Sequence, residues 1–399
     1  VNALADLKAC DVAVVGMGPA GATAAYELSR AGLSVIGFDK EMHPRYKVCG
    51  GGLSARIDQI LGAEFHDVVE QTIRGVQFTY QGKRPLTIEA DSPIAYMVMR
   101  SRFDHLLVQK AARAGTAVHA GEPVVDCLAR EDGIELSTAC GRYWAKIVIG
   151  ADGATSRVAQ RLFPRRRARC IPALESEVPT DLNSSYPGTE HIVVDVGATS
   201  RGYAWIFPKQ DQLSVGIGDF QGRASSLKQM FQRFVANAPP LSSLTIPSAL
   251  GHPIPLYEAP SVTSTTHHLV HGRALLVGDA AHLVDPLFGE GIYYAIRSGQ
   301  MAAAAILDHS ADACHSLHEY ELAVRREIYS EFNVAARLAQ IIYTFPRLCH
   351  RLLFHYEDVI GLYYDVLRGR ETYQTFYGNA KGMIKGSVKD LLRKAFSTQ

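Results

Sequence analysis

The feature that most constrains this 399-residue chain is the run Gly16-Met17-Gly18-Pro19-Ala20-Gly21. An apolar stretch, residues 11–15, leads into it. A helical stretch, residues 22–30, leads away and is closed by Gly32. A second apolar stretch, 34–38, stops at Asp39. Strand, glycine turn, helix, strand and acid is the order of a dinucleotide-binding βαβ unit. Gly16 permits the tight turn, Gly18 lets the backbone approach a pyrophosphate, and Gly21 lets the helix pack close to the sheet. The helix N-terminus offers free N–H groups to phosphate. Asp39 stands where a carboxylate accepts hydrogen bonds from a ribose diol.

Two later apolar stretches end in the same manner. Residues 145–151 run into Asp152-Gly153, and 273–277 run into Gly278-Asp279. Ligands of open α/β sheets gather at the carboxyl ends of strands. The ends at Gly16, Ala151 and Val277 are therefore expected to face one long cofactor. Residues 72–100 and 171–267 alternate apolar and polar, as at 75–80, 191–196 and 213–218, with one helix near 225–235. They read as antiparallel strands of a second sheet inserted into the first domain. From Gly291 onward the pattern is helical. The expected organisation is a discontinuous cofactor domain (1–71, 101–170 and 268–303), a substrate sheet (72–100 and 171–267) and a helical C-terminal region (304–399).

Composition excludes several classes. Lys+Arg is 41 and Asp+Glu 40, a net charge of +1, which argues against a nucleic-acid partner. No stretch approaches the ~20 apolar residues of a membrane span, and no basic segment followed by an apolar core opens the chain. A cytoplasmic protein is expected. The seven cysteines include no C-x-x-C pair, which fits a reducing compartment. The histidines at 267, 268, 271 and 282 lack metal-ligand spacing, so no metal is expected.

A second motif is Gly278-Asp279, followed by Pro286-Leu287-Phe288-Gly289-Glu290-Gly291-Ile292. Asp279 can accept a hydrogen bond from a polyol. Gly289 and Gly291 allow close backbone approach where a helix begins, and its N-terminus favours negative charge. A third is Arg100-Ser101-Arg102, opening a helix, where an arginine can pair with phosphate; Arg102 itself reads as a surface charge.

On these motifs the chain resembles the glutathione-reductase-type flavoproteins, in the branch that includes the aromatic hydroxylases. The resemblance implies an α/β fold with an FAD-binding Rossmann-like domain. It implies FAD, with Asp39 at the adenosine ribose, Arg100 near the pyrophosphate, Asp279 at the ribitol, and Gly289 and Gly291 along the isoalloxazine. The full set of expected FAD contacts is Gly16, Gly18, Pro19, Ala20, Gly21, Asp39, Lys40, Cys49, Gly50, Gly51, Arg100, Asp152, Gly278, Asp279, Pro286, Gly289, Gly291 and Ile292.

Two further segments are Pro44-Arg45-Tyr46-Lys47-Val48-Cys49-Gly50-Gly51-Gly52-Leu53-Ser54 and Gly202-Tyr203-Ala204-Trp205-Ile206-Phe207-Pro208-Lys209. They resemble the geranylgeranyl reductase family, which saturates isoprenoid double bonds. Gly52-Leu53-Ser54 stands where the chlorophyll-pathway members carry a Pro-rich segment, which favours the lipid or diphosphate branch. Alternation puts Tyr203, Trp205 and Phe207 on one face of a strand. These three, with Pro208 and Gly51, are the expected substrate contacts. Cys49 is the expected proton donor, with Tyr203 the runner-up. The electrons would come from an external donor, NAD(P)H or ferredoxin. The rivals are a class A flavin monooxygenase, using oxygen and NAD(P)H with the same motifs, and a non-catalytic flavin or lipid binder.

Three features bear on a lipid partner. Arg161, Arg165, Arg166, Arg167 and Arg169 form a basic cluster, read as a solvated loop or as a diphosphate or membrane contact. Aromatic residues crowd the helical region, including Tyr343, Phe345, Phe354, Tyr363, Tyr364, Tyr373 and Phe376. Residues 381–396 have the pattern of a basic amphipathic helix, which can lie on the inner face of a membrane or dock on the domain.

Overall fold

The computed structural model describes residues 7–163, 170–180, 190–220, 224–259, 268–308 and 313–383. Two sheets dominate. The first has eight strands. Its centre is β1 (Lys8–Val15), flanked by β2 (Val35–Asp39) and by the strand Arg142–Gly150. Ala117–Ala120 extends it beyond β2, and Ala274–Leu276 extends it beyond Arg142–Gly150. All these neighbours run parallel. Strands covered on both faces read as continuous apolar runs, and Val12, Ala13 and Val14 are fully buried. Val15 pairs with Gly150, which pairs with Leu276. The three carboxyl ends thus lie side by side. Helix α1 (Pro19–Arg30) packs between this sheet and the helix Ile292–Leu307.

The second sheet has seven strands, in the order Leu250–Ile254, Ile171–Pro179, Gln212–Asp219, Gly202–Pro208, His191–Val196, Gly75–Tyr80, Lys83–Glu89. It differs from the all-antiparallel expectation at one place: His191–Val196 runs parallel to Gly75–Tyr80. Those strands come from two separate excursions of the chain, so no hairpin forces them antiparallel. Ala95–Val98 also leaves this sheet and pairs with Gly52–Ser54 and Val69–Ile73 in a small third sheet.

Alternation sorts the second sheet's faces. Val193, Ala204, Ile206, Val215 and Ile217 pack with Leu227, Phe231 and Phe234 of the helix Ala224–Asn237. Val194, Val196, Tyr203 and Trp205 turn the other way. They pack with Tyr343, Tyr363, Tyr373 and Phe376 of the C-terminal helices. Those helices span Ser330–Thr344, Pro346–Leu353, Glu357–Leu367 and residues 373–383. Among the described residues, no helix is long and apolar enough to cross a membrane. Arg165, Arg166, Arg167 and Arg169, and all but the start of the segment 381–396, lie outside the described residues.

Candidate active site

The glycine turn is built for close approach. Gly16 has φ +97°, and a methyl group there would collide with the Ala151 carbonyl. A methyl at Gly21 would strike the Gly16 carbonyl oxygen and lie 3.0 Å from Val14 Cγ1. Gly18 differs. A methyl there meets only Arg45 Nη2, at 3.6 Å. The turn is therefore walled by backbone on the sheet side and by a guanidinium on the other. Gly18 caps α1 with no side-chain hydrogen bond.

That guanidinium has a nitrogen to spare. Arg45 Nη2 pairs with Asp104 Oδ2 at 3.0 Å, while Arg45 Nη1 is buried without a partner. Arg100, the arginine expected near the pyrophosphate, turns its fork onto Asp104, at 2.8 Å through Nε and Nη2. It also faces the Cys49 thiol. The arginine that combines a free donor with the glycine turn is Arg45. Spacing does not single it out, although it lies within the segment 44–54 and carries a plain charge. Lys40, which follows Asp39, is exposed, and Arg102 pairs with Glu70 at the surface.

Asp39 ends β2. It accepts the Met17 N–H and the Glu41 N–H at 2.9 Å each, and His43 Nε2 stands 3.2 Å away. Burial opposes its charge, but His43, these N–H groups and Arg45 together hold its carboxyl below the ordinary value. Asp152 accepts from the Arg157 and Val158 N–H groups through Oδ2, which caps the following helix, and its Oδ1 is buried with no partner.

The second motif rests directly on the first. A methyl on Gly278, at φ +55°, would lie 3.0 Å from Ala20 Cβ. Asp279 Oδ1 lies 3.6 Å from the same point on Gly291, and its charge bears on Lys47 and His252. The Lys47 ammonium donates to His252 Nε2. Burial is the main cause that lowers both; Arg100 and Arg45 add to it at Lys47, and the Lys47 charge adds to it at His252, which falls to about 4.

The loop 285–291 is clasped from several sides. Asp285 accepts the Leu287 and Phe288 N–H groups at 2.6 and 3.0 Å, and the Tyr373 hydroxyl at 2.7 Å. Burial raises its carboxyl to about 6. The Tyr343 hydroxyl donates to the Leu287 carbonyl, and the Tyr203 hydroxyl to the Phe288 carbonyl. Glu290 takes Ser54 and Arg56, tying the loop to the Gly52–Ser54 strand. Pro286 and Ile292 are buried at the two ends of the loop. The residues that clasp it from afar carry no local motif, so spacing alone could not reveal them.

The Cys49-Gly50-Gly51 segment and the aromatic strand, far apart in sequence, meet here. A methyl on Gly50 would lie 2.9 Å from the Phe207 ring and 3.3 Å from Trp205 Nε1; one on Gly51, at φ +74°, would strike the Val98 carbonyl. Trp205 packs 5.9 Å from Tyr203 and 6.0 Å from Phe207, ring centre to ring centre. Its indole lies over Gly216, where any side chain would collide with it. Charge on Cys49 bears on Tyr46, Lys47, Arg100 and Tyr203 together. Tyr203 gives its proton to a carbonyl, and burial pushes its phenol upward. That casts it as a prop for the loop.

An uncapped helix at a bare glycine, an unpartnered Arg45 nitrogen and an unpartnered Asp152 oxygen, all at adjoining strand ends, suit the phosphates and hydroxyls of FAD. The fold and site are those of an FAD-dependent oxidoreductase. The family described as "FAD binding domain" matches residues 9–326, and the chain belongs to it, within the geranylgeranyl-reductase-like group. A digeranylgeranylglycerophospholipid reductase of Thermoplasma acidophilum is 30% identical over 320 residues, 74% of this chain and 78% of that one. A chloroplastic geranylgeranyl diphosphate reductase of Oryza sativa subsp. japonica is 29% identical over 343 residues, 81% of this chain and 71% of that one. The solved structure of a geranylgeranyl bacteriochlorophyll reductase-like protein from Thermoplasma acidophilum shares the fold. Its TM-score is 0.73 at 24% identity, covering 84% of this chain and 88% of that one.

Proposed function

We propose that the protein saturates carbon–carbon double bonds of an isoprenoid lipid or prenyl diphosphate. The observation that carries this reading is the seat of Gly50 against Trp205 and Phe207, with the neighbouring Cys49 near enough for its charge to bear on Tyr203. A thiol beside a wall of aromatic rings suits a polyene, which needs an apolar surface and a nearby acid. Bound FAD, reduced by an external donor, supplies the hydride. Gly16, Gly18, Gly21 and Arg45 would hold its diphosphate, Asp39 and Asp279 would hold its hydroxyls, and Gly289 and Gly291 of the clasped loop would receive its ring. Tyr203, Trp205 and Phe207 exclude water from the reacting carbons. Cys49 Sγ–H gives a proton to one alkene carbon while the other receives the hydride.

Anaerobic incubation of chemically reduced protein with geranylgeranyl compounds, read by mass, tests this. A gain of two hydrogens per double bond is expected. No gain on any compound, with the flavin fully reduced, would sink the reading. Addition of an oxygen atom in air would favour a hydroxylase instead.

A lipid substrate implies a way onto a membrane surface. Ile341, Phe345, Leu348, Leu352 and Phe354 are exposed large apolar side chains near one helix–helix junction. Residues 332–356 contain Arg337, Arg347 and Arg351 and no acidic residue. Exposed apolar side chains interspersed with arginines along the chain favour an anionic bilayer surface. Burying a large apolar side chain is worth about 1.5–3 kcal/mol. Phe345→Glu with Leu348→Glu is therefore expected to lower binding to vesicles of anionic phospholipid at least about tenfold, with flavin content unchanged. Sedimentation with vesicles checks it; equal binding by wild type and variant would remove this surface from the reading.

A further inference from the structure

Outside the site described so far lies a buried acid network. The strand Ile171–Pro179 turns Glu175 and Glu177 to one face. Glu175 is 1% exposed. Its Oε2 accepts the Tyr46 hydroxyl at 2.9 Å and its Oε1 the Ser214 hydroxyl at 3.0 Å. Ser214 Oγ in turn accepts the Trp205 indole N–H at 3.3 Å. Lys209, also 1% exposed, pairs with Glu177, whose Oε2 is buried without a partner. On the next strand Leu250 stands opposite Glu175, and His252 is occupied with Lys47. The charges facing Glu175 are thus Glu177 and Lys209.

One cation, Lys209, faces a buried carboxyl and a partly buried one. Such a group holds a proton near neutral pH, because ionising both acids in a dry site is costly. Burial first, and Glu177 second, raise Glu175 to about 7, against the pull of Tyr46, Lys209 and Ser214.

The network meets the reacting region at two points. Trp205 belongs to both, and lies against Gly50. Tyr46 belongs to both as well: it is 47% exposed, its hydroxyl is on Glu175, and Cys49 is near enough for its charge to bear on the phenol.

We propose that Glu175 stores the proton that the site spends, and that the Tyr46 phenol carries it between Glu175, the Cys49 thiol and water. This rests on the alkene-reductase reading. For each double bond saturated, the substrate gains one hydride and one proton. The proton leaves Cys49 Sγ, Tyr46 O–H returns one to the sulfur, and the Glu175 carboxyl returns one to the Tyr46 oxygen. Water then recharges Glu175 through the exposed edge of Tyr46. Nothing is oxidised or reduced in this relay.

The sign of the pH dependence follows. The folded Glu175 holds its proton to higher pH than a free glutamate, whose value is 4.5. The store is full at acid pH and empties as pH rises through about 7.

The chain has two tryptophans, Trp144 and Trp205. In holoenzyme labelled with nitrogen-15 at the indoles, Trp144→Phe assigns the Trp205 resonance. That resonance is expected to titrate near neutral pH, and Glu175→Gln to flatten it. Tyr46→Phe is expected to leave a titration in place. In steady-state turnover, Glu175→Gln and Tyr46→Phe are each expected to lower kcat for alkene reduction by about tenfold or more, with flavin content and KM unchanged. Glu175→Gln is also expected to remove the decline above neutral pH. A Trp205 resonance flat between about pH 5 and 9, or a Glu175→Gln enzyme with the wild-type pH profile, would overturn the proposal. The titration needs no substrate. A protein that reduces no alkene would therefore sink the reductase reading, while the resonance still supports or overturns Glu175 as the proton store.

Discussion

Gly21→Val is expected to give a colourless protein, with FAD occupancy below about a tenth of wild type. The argument is steric. A Cβ at this position points into the Gly16 carbonyl oxygen, with Ala151 Cβ and Val14 Cγ1 each 3.0 Å away. The first obstacle is backbone, which no rotamer change can move. Relief requires the start of α1 to lift off the sheet. That displaces Gly18 and the uncapped N–H groups from the position the phosphates need. Overpacking of a dense contact costs about 1–3 kcal/mol in stability, so the fold survives while the site does not. The ratio of flavin to protein absorbance reports occupancy, and thermal melting reports the fold. Gly361→Ala is the control. It lies within Glu357–Leu367 with nothing inside 4 Å, so it should be neutral or gain up to about 1 kcal/mol from helix propensity. A yellow, fully loaded Gly21→Val protein would show that close packing of α1 is not what shapes the site.

Cys49→Ala is expected to slow single-turnover alkene reduction by about 10²–10⁴-fold, the usual worth of a positioned general acid. Flavin content and chemical reduction of the flavin should not change. An isolated double bond accepts hydride poorly, so losing the adjacent proton source falls on the chemical step. Cys49→Ser keeps an O–H at that position and should recover part of the rate, whereas Tyr203→Phe should loosen the loop through its lost bond to the Phe288 carbonyl. Full rates in Cys49→Ala would strip Cys49 of its role.

Much of this was legible in the sequence, for a physical reason. Gly16, Gly21 and Gly278 act through local backbone geometry, which spacing reports directly. The aromatic alternation at Tyr203, Trp205 and Phe207 likewise survives into the sheet, because a strand cannot do otherwise. What spacing does not carry is partnership across the chain. Arg45 and Arg100 look equivalent as charges, and only the fold commits Arg100 to Asp104 while leaving a nitrogen of Arg45 free. Glu175 resembles any polar residue on an alternating strand. Its burial, and its bonds to Tyr46 and Ser214, come from three separate elements. Asp285 stands in a largely apolar stretch with no motif to mark it, yet it organises the loop. The trace that the acid network leaves in the sequence is two glutamates, Glu175 and Glu177, at alternate positions of a largely apolar strand.

The clasp on that loop has a consequence for how such a chain can diverge. The region shared with the FAD-binding family ends at residue 326, but Tyr343 and Tyr373, which lie beyond it, hold Leu287 and Asp285. The cofactor-binding portion is therefore not a module that can be cut out or spliced to a new tail at will. Any exchange of the C-terminal helices must bring two hydroxyl donors to the same places, or the flavin-side loop must be rebuilt with it. Tail and loop form a single inheritance unit, although nearly a hundred positions separate their ends in the chain.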